Sequence, residues 1–473
     1  MTAQSRLTAS IHAVPRGGSD PVDHPVDHPV DLATAHARIA AAALRDGPDG
    51  RVGPAGYASP AGHASPGGHA SPGADASLGG RVGLELELHL VDRRRPARRP
   101  DWVQVCALLQ DLPTMPAGSA VTAEPGGQLE LSTPPAADLG SAITDLQRDL
   151  GALRAAVAAA GFGLVSLGAD PARPVDVINR TGRYGAMAQH FRAVGCGGPG
   201  RAMMASTAAL QVNLDAGPAA GWAARIAHLH RIGPLLTAIS ACSPRLGGRD
   251  SGWASMRAEA WHGIEAGRTA PFADGRDDPA TAWADYALTA PVMLVREPGE
   301  GPGGDATPVP SQVPFRAWLT GEAKLVRRPT LRDVDYHLTT LFPPVRPRGY
   351  LELRYLDAVP DRWWPALAAL TTLLADDPVA ADVAAEACAP VADRWSDAGR
   401  HALSDPAFAR AARTCLAAAH DRAPAPLRPG LAAYLELADR GRTPGDDLRE
   451  RIDAVGPLSA LAEAADDSVA GRG

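Results

Sequence analysis

What the chain lacks narrows it first. No apolar run is long enough to span a bilayer, and no apolar h-region follows the N-terminus, so neither membrane insertion nor secretion is expected. Cysteine is scarce: Cys106, Cys196, Cys242, Cys388 and Cys415 are odd in number and scattered, the pattern of reduced thiols in a cytoplasmic protein. No Cys or His pair has the spacing of zinc ligands. A Walker phosphate loop and a dinucleotide fingerprint are both missing, which argues against the nucleotide folds built on them. Long basic runs are missing too, and the net charge is −7, so no nucleic-acid partner is expected. The one basic cluster, Arg93–Arg99 (RRRPARR), directly follows a strand pattern and reads as a solvated hairpin loop. With 473 residues and 45% hydrophobic content, the chain can nevertheless bury a large core.

What is present begins with VGLELELHLV at Val82–Val91. Side chains alternate across a strand, so Val82, Leu84, Leu86, Leu88 and Leu90 form one apolar face while Gly83, Glu85, Glu87 and His89 share the other. The same grammar recurs in QLELS (128–132), TAALQVNLD (207–215) and YLELRYL (350–356). Gln128, Glu130 and Ser132 oppose Leu129 and Leu131. Thr207, Gln211, Asn213 and Asp215 oppose Ala208, Leu210, Val212 and Leu214. Tyr350, Glu352 and Arg354 oppose Leu351, Leu353 and Tyr355. Ordinary amphipathic strands with a solvated outer face would also alternate. These polar faces carry mainly Glu, Gln, Asn and Arg, however, which points to one sheet whose polar side lines a cavity and whose apolar side is covered by helices.

Glu85, Glu87, Glu130 and Glu352 on one such face would repel one another unless protons or cations intervene. Glu124 lies before the turn-forming Pro125-Gly126-Gly127, which could return it to the same rim. Oxygen donors of this kind suit hard divalent cations, and Mg2+ keeps open positions for phosphate oxygens. The residues by themselves therefore describe a Mg2+ site suited to a nucleoside triphosphate.

Four separated segments, GLELELHLVD (83–92), EPGGQLELSTPP (124–135), MMASTAALQVNLD (203–215) and YHLTTLFPPVRPRGYLELRYLDA (336–358), resemble the carboxylate–amine ligase family in the family's order. The nearest resemblance is to the actinobacterial glutamate–cysteine ligases of ergothioneine biosynthesis, which are similar to the plant-type glutamate–cysteine ligases. It runs from about Gly83 to about Asp361. It implies an α+β fold akin to glutamine synthetase: a curved, mainly antiparallel sheet forming a funnel, with helices on its outer face. It also implies a reaction in which ATP phosphorylates the side-chain carboxylate of L-glutamate, and the amine of L-cysteine displaces phosphate to give γ-glutamylcysteine. By matching motifs, Glu85 and Glu87 resemble a first pair of Mg2+ ligands, Glu124 and Glu130 a second, and Glu352 a shared ligand. Arg354 would stabilise the transferring phosphoryl group or clamp a substrate carboxylate, with Glu352 beside it in the catalytic set. Arg257, in SMRAEAW (255–261), resembles the arginine that grips the glutamate α-carboxylate. Gln211 binds metal or substrate, and Asn213 and Thr207 are polar contacts on the same face. Trp261 is either an apolar wall for the substrate stem or a core residue. His337 is left out of the chemistry, and His89 shares the carboxylate face by parity alone. The alternatives are a related ligase using another amine acceptor, or a nucleotide- or metal-binding protein without turnover.

The rest of the chain divides into a disordered tail over 1–30, a helix over 31–45 capped by Asp31, a low-complexity linker over 46–80, a single catalytic domain over 81–465 and a tail over 466–473. Pro298–Pro310 is Gly/Pro-rich and reads as a flexible loop near the substrates. Helices are expected over Ala142–Ala160, Trp222–Ser240 and much of the chain after Asp361.

Overall fold

The computed structural model describes residues 28–44, 80–272, 278–296 and 304–470. The expected tail over 1–27, nearly all of the low-complexity linker and the first part of the Gly/Pro-rich loop lie outside the described residues.

Nine strands follow in chain order: β1 (Val82–Asp92), β2 (Ala120–Ala123), β3 (Leu129–Ser132), β4 (Phe162–Val165), β5 (Ala209–Leu214), β6 (Leu294–Arg296), β7 (Ala306–Pro308), β8 (Val345–Pro347) and β9 (Leu351–Asp357). Seven of them form one sheet in the order β2-β3-β1-β5-β9-β8, with β4 also paired to β1, and β6 and β7 form a separate pair. All pairings are antiparallel. β1 is long enough to take two partners along one edge: β3 pairs with Glu85–Leu88 and β4 with His89–Asp92. The four strand patterns in the sequence thus lie side by side in one sheet.

The apolar face packs as the alternation requires. Leu84, Leu86, Leu88, Leu129, Leu131, Leu210, Val212, Leu351 and Leu353 are wholly buried. Helices Leu139–Ala159, Trp222–Ser240 and Trp364–Asp376 lie against these strands and share the core. Such a core, where removing a leucine costs about 2–5 kcal/mol, is what holds the polar side chains of the opposite face in place. The helix Leu32–Ala43 is capped by Asp31, whose carboxylate accepts from Thr34 N at 2.7 Å. It packs away from β1, against the helices Pro279–Thr289 and Leu331–Leu338.

Two expectations are corrected. The tail expected from 466 is helix as far as Ala470, because Leu461, Ala465 and Ser468 share a buried face, with the Ser468 hydroxyl accepting from Leu164 N of β4. The RRRPARR cluster is not a hairpin, since the chain turns into the helix Trp102–Asp111. Arg93, Arg94, Arg95 and Arg98 are exposed, but Arg99 folds inward.

Candidate active site

Register sets the acidic half of the site. Glu87 of β1 lies opposite Glu130 of β3, and Glu85 opposite Gln211 of β5. Glu124 follows β2 and is carried back by a tight turn in which Gly127 N donates to Glu124 O at 2.8 Å. Gly127 has φ +84°, a left-handed conformation that explains glycine there. The turn is pinned from behind. Arg99 Nη1 donates to Gly126 O and Ala205 O, both at 3.1 Å, while its Nη2 reaches Asp170 at 3.0 Å. Gly126 itself packs so closely that a Cβ would sit 2.2 Å from Ala205 O.

Each of these four carboxyls is pushed upward, first by burial and then, to different extents, by the others. Glu85 rises to about 8, through burial and the nearby Glu130 and Glu352. Local hydrogen bonds relieve only part of this. Asn213 Nδ2 donates to Glu85 at 2.8 Å, Ala209 N and Gln211 Nε2 to Glu87 at 2.8 and 3.2 Å, and Thr122 Oγ1 to Glu130 at 3.0 Å.

The basic half comes from later strands. Glu352, 1% exposed, is enclosed by three guanidiniums. Arg346 Nη2 lies 3.0 Å from one oxygen, Arg354 Nη1 3.1 Å from the other, and Arg348 Nη1 3.5 Å away. Burial raises this carboxyl, but Arg346, Arg354 and Arg348 outweigh it and hold the group well below the usual carboxylate range. A register shift in the β5–β9 pairing, where Leu210 meets Leu356 but Val212 meets Leu353, inserts one extra residue into β9 around Arg354 and Tyr355. The Arg354 side chain thereby lies beside Gln211, donating to its Oε1 at 2.8 Å. Gln211 thus bridges the two halves, accepting from Arg354 and donating to Glu87.

Arg257, on the short helix Met256–His262, is 4% exposed and donates to the Arg354 carbonyl at 2.7 Å. Asp357, the last residue of β9, lies 3.8 Å from Arg257 Nη1. It accepts from Ser243 Oγ at 2.6 Å, Ser255 Oγ at 2.9 Å and Cys242 N at 3.0 Å. The guanidiniums of Arg257 and Arg354 both lie over the ring of Trp261, at 5.9 and 5.8 Å from its centroid.

The structure thus brings together Glu85, Glu87, Glu124, Glu130, Glu352, Gln211, Asn213, Arg257 and Arg354. It does not bring the Thr207 hydroxyl to them: that group donates to Met203 O at 2.8 Å at the end of the helix Gly197–Ser206, two residues before β5 begins. His89 is buried beyond the site, within 3.1 Å of Leu167 O and near Asp170 and Arg173. His337 is buried against Phe315 and meets Ala287 O. Sequence reasoning missed Arg346, Arg348, Asp357 and Arg99. The signal for the first two was present in VRPRG, where two arginines alternate immediately before the β9 strand.

Among the described residues, no group of three His, Cys, Asp or Glu side chains is arranged to hold a metal ion as it stands. The donor chemistry still fits a cation, since partly buried carboxyls raised by burial and their neighbours are relieved by a positive charge. Ligand binding also has unmet groups to satisfy: Asn213 Oδ1, Gln128 Oε1, Arg354 Nε and Trp261 Nε1 are buried without a hydrogen-bond partner. Two clefts of about 330 Å³ lie elsewhere, one beside Arg154 and Trp364 and one beside Arg180 and Gln189, and neither includes these carboxylates.

A family model described as Glutamate-cysteine ligase family 2 matches residues 81–469. The chain is 49% identical over 389 residues to "Glutamate--cysteine ligase EgtA" of Mycolicibacterium smegmatis, covering 82% of this chain and 90% of that protein. The chloroplastic glutamate–cysteine ligase of Arabidopsis thaliana is 31% identical over 59% of this chain and 54% of its own length. Among solved structures, glutamate–cysteine ligase of Francisella tularensis in complex with AMP superposes with a TM-score of 0.50 at 12% identity, over 84% of this chain and 89% of that one. A bifunctional glutathione synthetase from Pasteurella multocida gives 0.51 at 15% identity, over 83% and 52%. Both share the α+β architecture with an antiparallel sheet that the sequence predicts.

Proposed function

The chain belongs to glutamate–cysteine ligase family 2, and from that membership we propose that it joins the side-chain carboxylate of L-glutamate to the amine of L-cysteine at the expense of ATP. The identity of 49% over nine-tenths of the mycobacterial ligase carries this reading. The product is γ-glutamylcysteine, supplied to ergothioneine biosynthesis. The five cysteines are free and buried, which suits a cytoplasmic enzyme, and no helix among the described residues is long and apolar enough to cross a membrane.

Activation is needed because a carboxylate is a poor acyl donor, and a γ-glutamyl phosphate supplies the leaving group. Glu85, Glu87, Glu124, Glu130 and Glu352 are the residues we assign to Mg2+, which when bound neutralises phosphate charge. Arg354, held between Glu352 and Gln211, offers fixed positive charge to the transferring phosphoryl group. Arg346 and Arg348 keep Glu352 ionised and orient it. Arg257 takes the substrate α-carboxylate through a guanidinium that Asp357 steadies. Asn213 and Gln211 orient Glu85 and Glu87. Thr207 contributes as the residue whose carbonyl receives Gln128 Nε2 at 2.8 Å, which fixes the start of β3. Catalysis of this kind rests on positioning and electrostatics, so no side-chain nucleophile is required.

The test is ADP release from Mg-ATP and L-glutamate with and without L-cysteine, with products identified by mass. Cysteine-dependent ADP with γ-glutamylcysteine is expected. Turnover only with other amines would replace the acceptor, and no turnover with any amine would overturn the reading.

A further inference from the structure

Trp261 presents a donor that nothing in the protein receives. Its indole Nε1 is buried without a hydrogen-bond partner, and so is Nε of Arg354, whose guanidinium lies over the same ring. An unmet buried N–H is unfavourable, so a group that satisfies it on binding gains affinity. Both unmet atoms are donors only, and Arg257 lies on the same indole. The group that fits them is anionic and rich in acceptor oxygens.

The surroundings decide which anion. Trp261 packs edge-on against Phe342 at 5.7 Å and belongs to an apolar cluster with Met204, Ile264 and Tyr336. An apolar wall with a single N–H beside a guanidinium suits a carboxylate on a short methylene stem. A polyphosphate, with charge on every side, would find no use for that wall. Arg346 and Arg348 gather instead around Glu352.

We propose that Trp261 contacts the amino-acid substrate directly, its indole N–H donating to the α-carboxylate held by Arg257 and its ring lining the methylene stem. This rests on the ligase reading above. It separates the two properties of the side chain, so substitutions can address each.

Trp261→Phe keeps a flat ring and removes the N–H, whereas Trp261→Leu removes both. In steady-state kinetics, Trp261→Phe is expected to raise KM for L-glutamate about tenfold or more, with KM for ATP within about twofold of wild type. Trp261→Leu is expected to raise KM for L-glutamate further. Calorimetric titration is the second readout. L-Glutamate should bind Trp261→Phe more weakly than wild type, while 4-aminobutyrate, which lacks the α-carboxylate, should bind both proteins alike. If phenylalanine disturbs the fold, benzothienylalanine at position 261 keeps the bicyclic ring and replaces N–H with sulfur. Wild-type affinity for L-glutamate in a folded N–H-free variant would overturn the proposal, as would an equal rise in KM for ATP. A wild-type protein that neither binds L-glutamate nor turns it over would overturn the ligase reading itself, which distinguishes the two failures.

Discussion

Without a cation, the protein should lose stability as pH rises from mildly acidic to mildly basic, and Mg2+ should cancel that loss. Glu85 is the quantitative handle. Burial, then Glu130 and Glu352, lift it from an ordinary 4.5 to about 8. An acid raised by folding favours the folded state while protonated. Its contribution is complete below 4.5 and is lost as pH climbs to about 8. At about 1.4 kcal/mol per pKa unit, the loss approaches ~5 kcal/mol as an upper bound, since the face is partly open to solvent. Glu87, Glu124 and Glu130 shift in the same direction and add to it. For a domain of this size, that is on the order of 5–10 °C in Tm. Bound Mg2+ needs the carboxylates ionised, so its stabilisation should be small near pH ~5 and grow towards pH ~8. Calorimetric melts of chelator-stripped protein with and without saturating Mg2+ measure both slopes. The Glu85→Gln variant should flatten the cation-free slope. Parallel curves with and without Mg2+, or a cation-free Tm that rises over this window, would refute the reasoning.

Glu352→Ala should abolish turnover and cost about 3–5 kcal/mol in denaturant unfolding, because it strands Arg346 and its neighbours without their buried partner. Wild-type turnover in that variant would remove Glu352 from the site. Arg99→Met frees the Gly126 turn and should raise the Mg2+ concentration for half-maximal activity several-fold, with KM for L-glutamate unchanged, as a titration of both would show. Asp357→Asn removes the charge beside Arg257 and should raise KM for L-glutamate by about tenfold while changing kcat less, read from paired saturation curves.

The sheet was legible because its period is unambiguous. Four segments alternate apolar and polar residues, and the alternation assigned Glu85, Glu87, Glu130 and Glu352 to one face before any register was known. Parity failed where the strand ended or was covered. Thr207 continues the alternation on paper, but the helix before β5 runs to Ser206 and takes its hydroxyl as an end cap. His89 has the right parity, yet β1 has by then exchanged β3 for β4, and the segment around Leu167 and Asp170 buries it. The extra residue in β9 was invisible as well, since Leu353, Tyr355 and Leu356 are all apolar and permit either register. The roles of Arg346 and Arg348 depend on β8 pairing back onto β9 across a short turn, a tertiary fact that a strand of three residues scarcely announces.

The strand order also governs how the chain reaches this state. The acidic strands β1 and β3 come early in the sequence, while Arg257, Arg346, Arg348 and Arg354 all come later, and β1 reaches β9 only through β5. A folding chain must therefore close long loops before its acids meet their counter-charges. Refolding should be slow and ordered, with the early sheet self-repelling until β8 and β9 dock, and it should run faster in mild acid than in mild base.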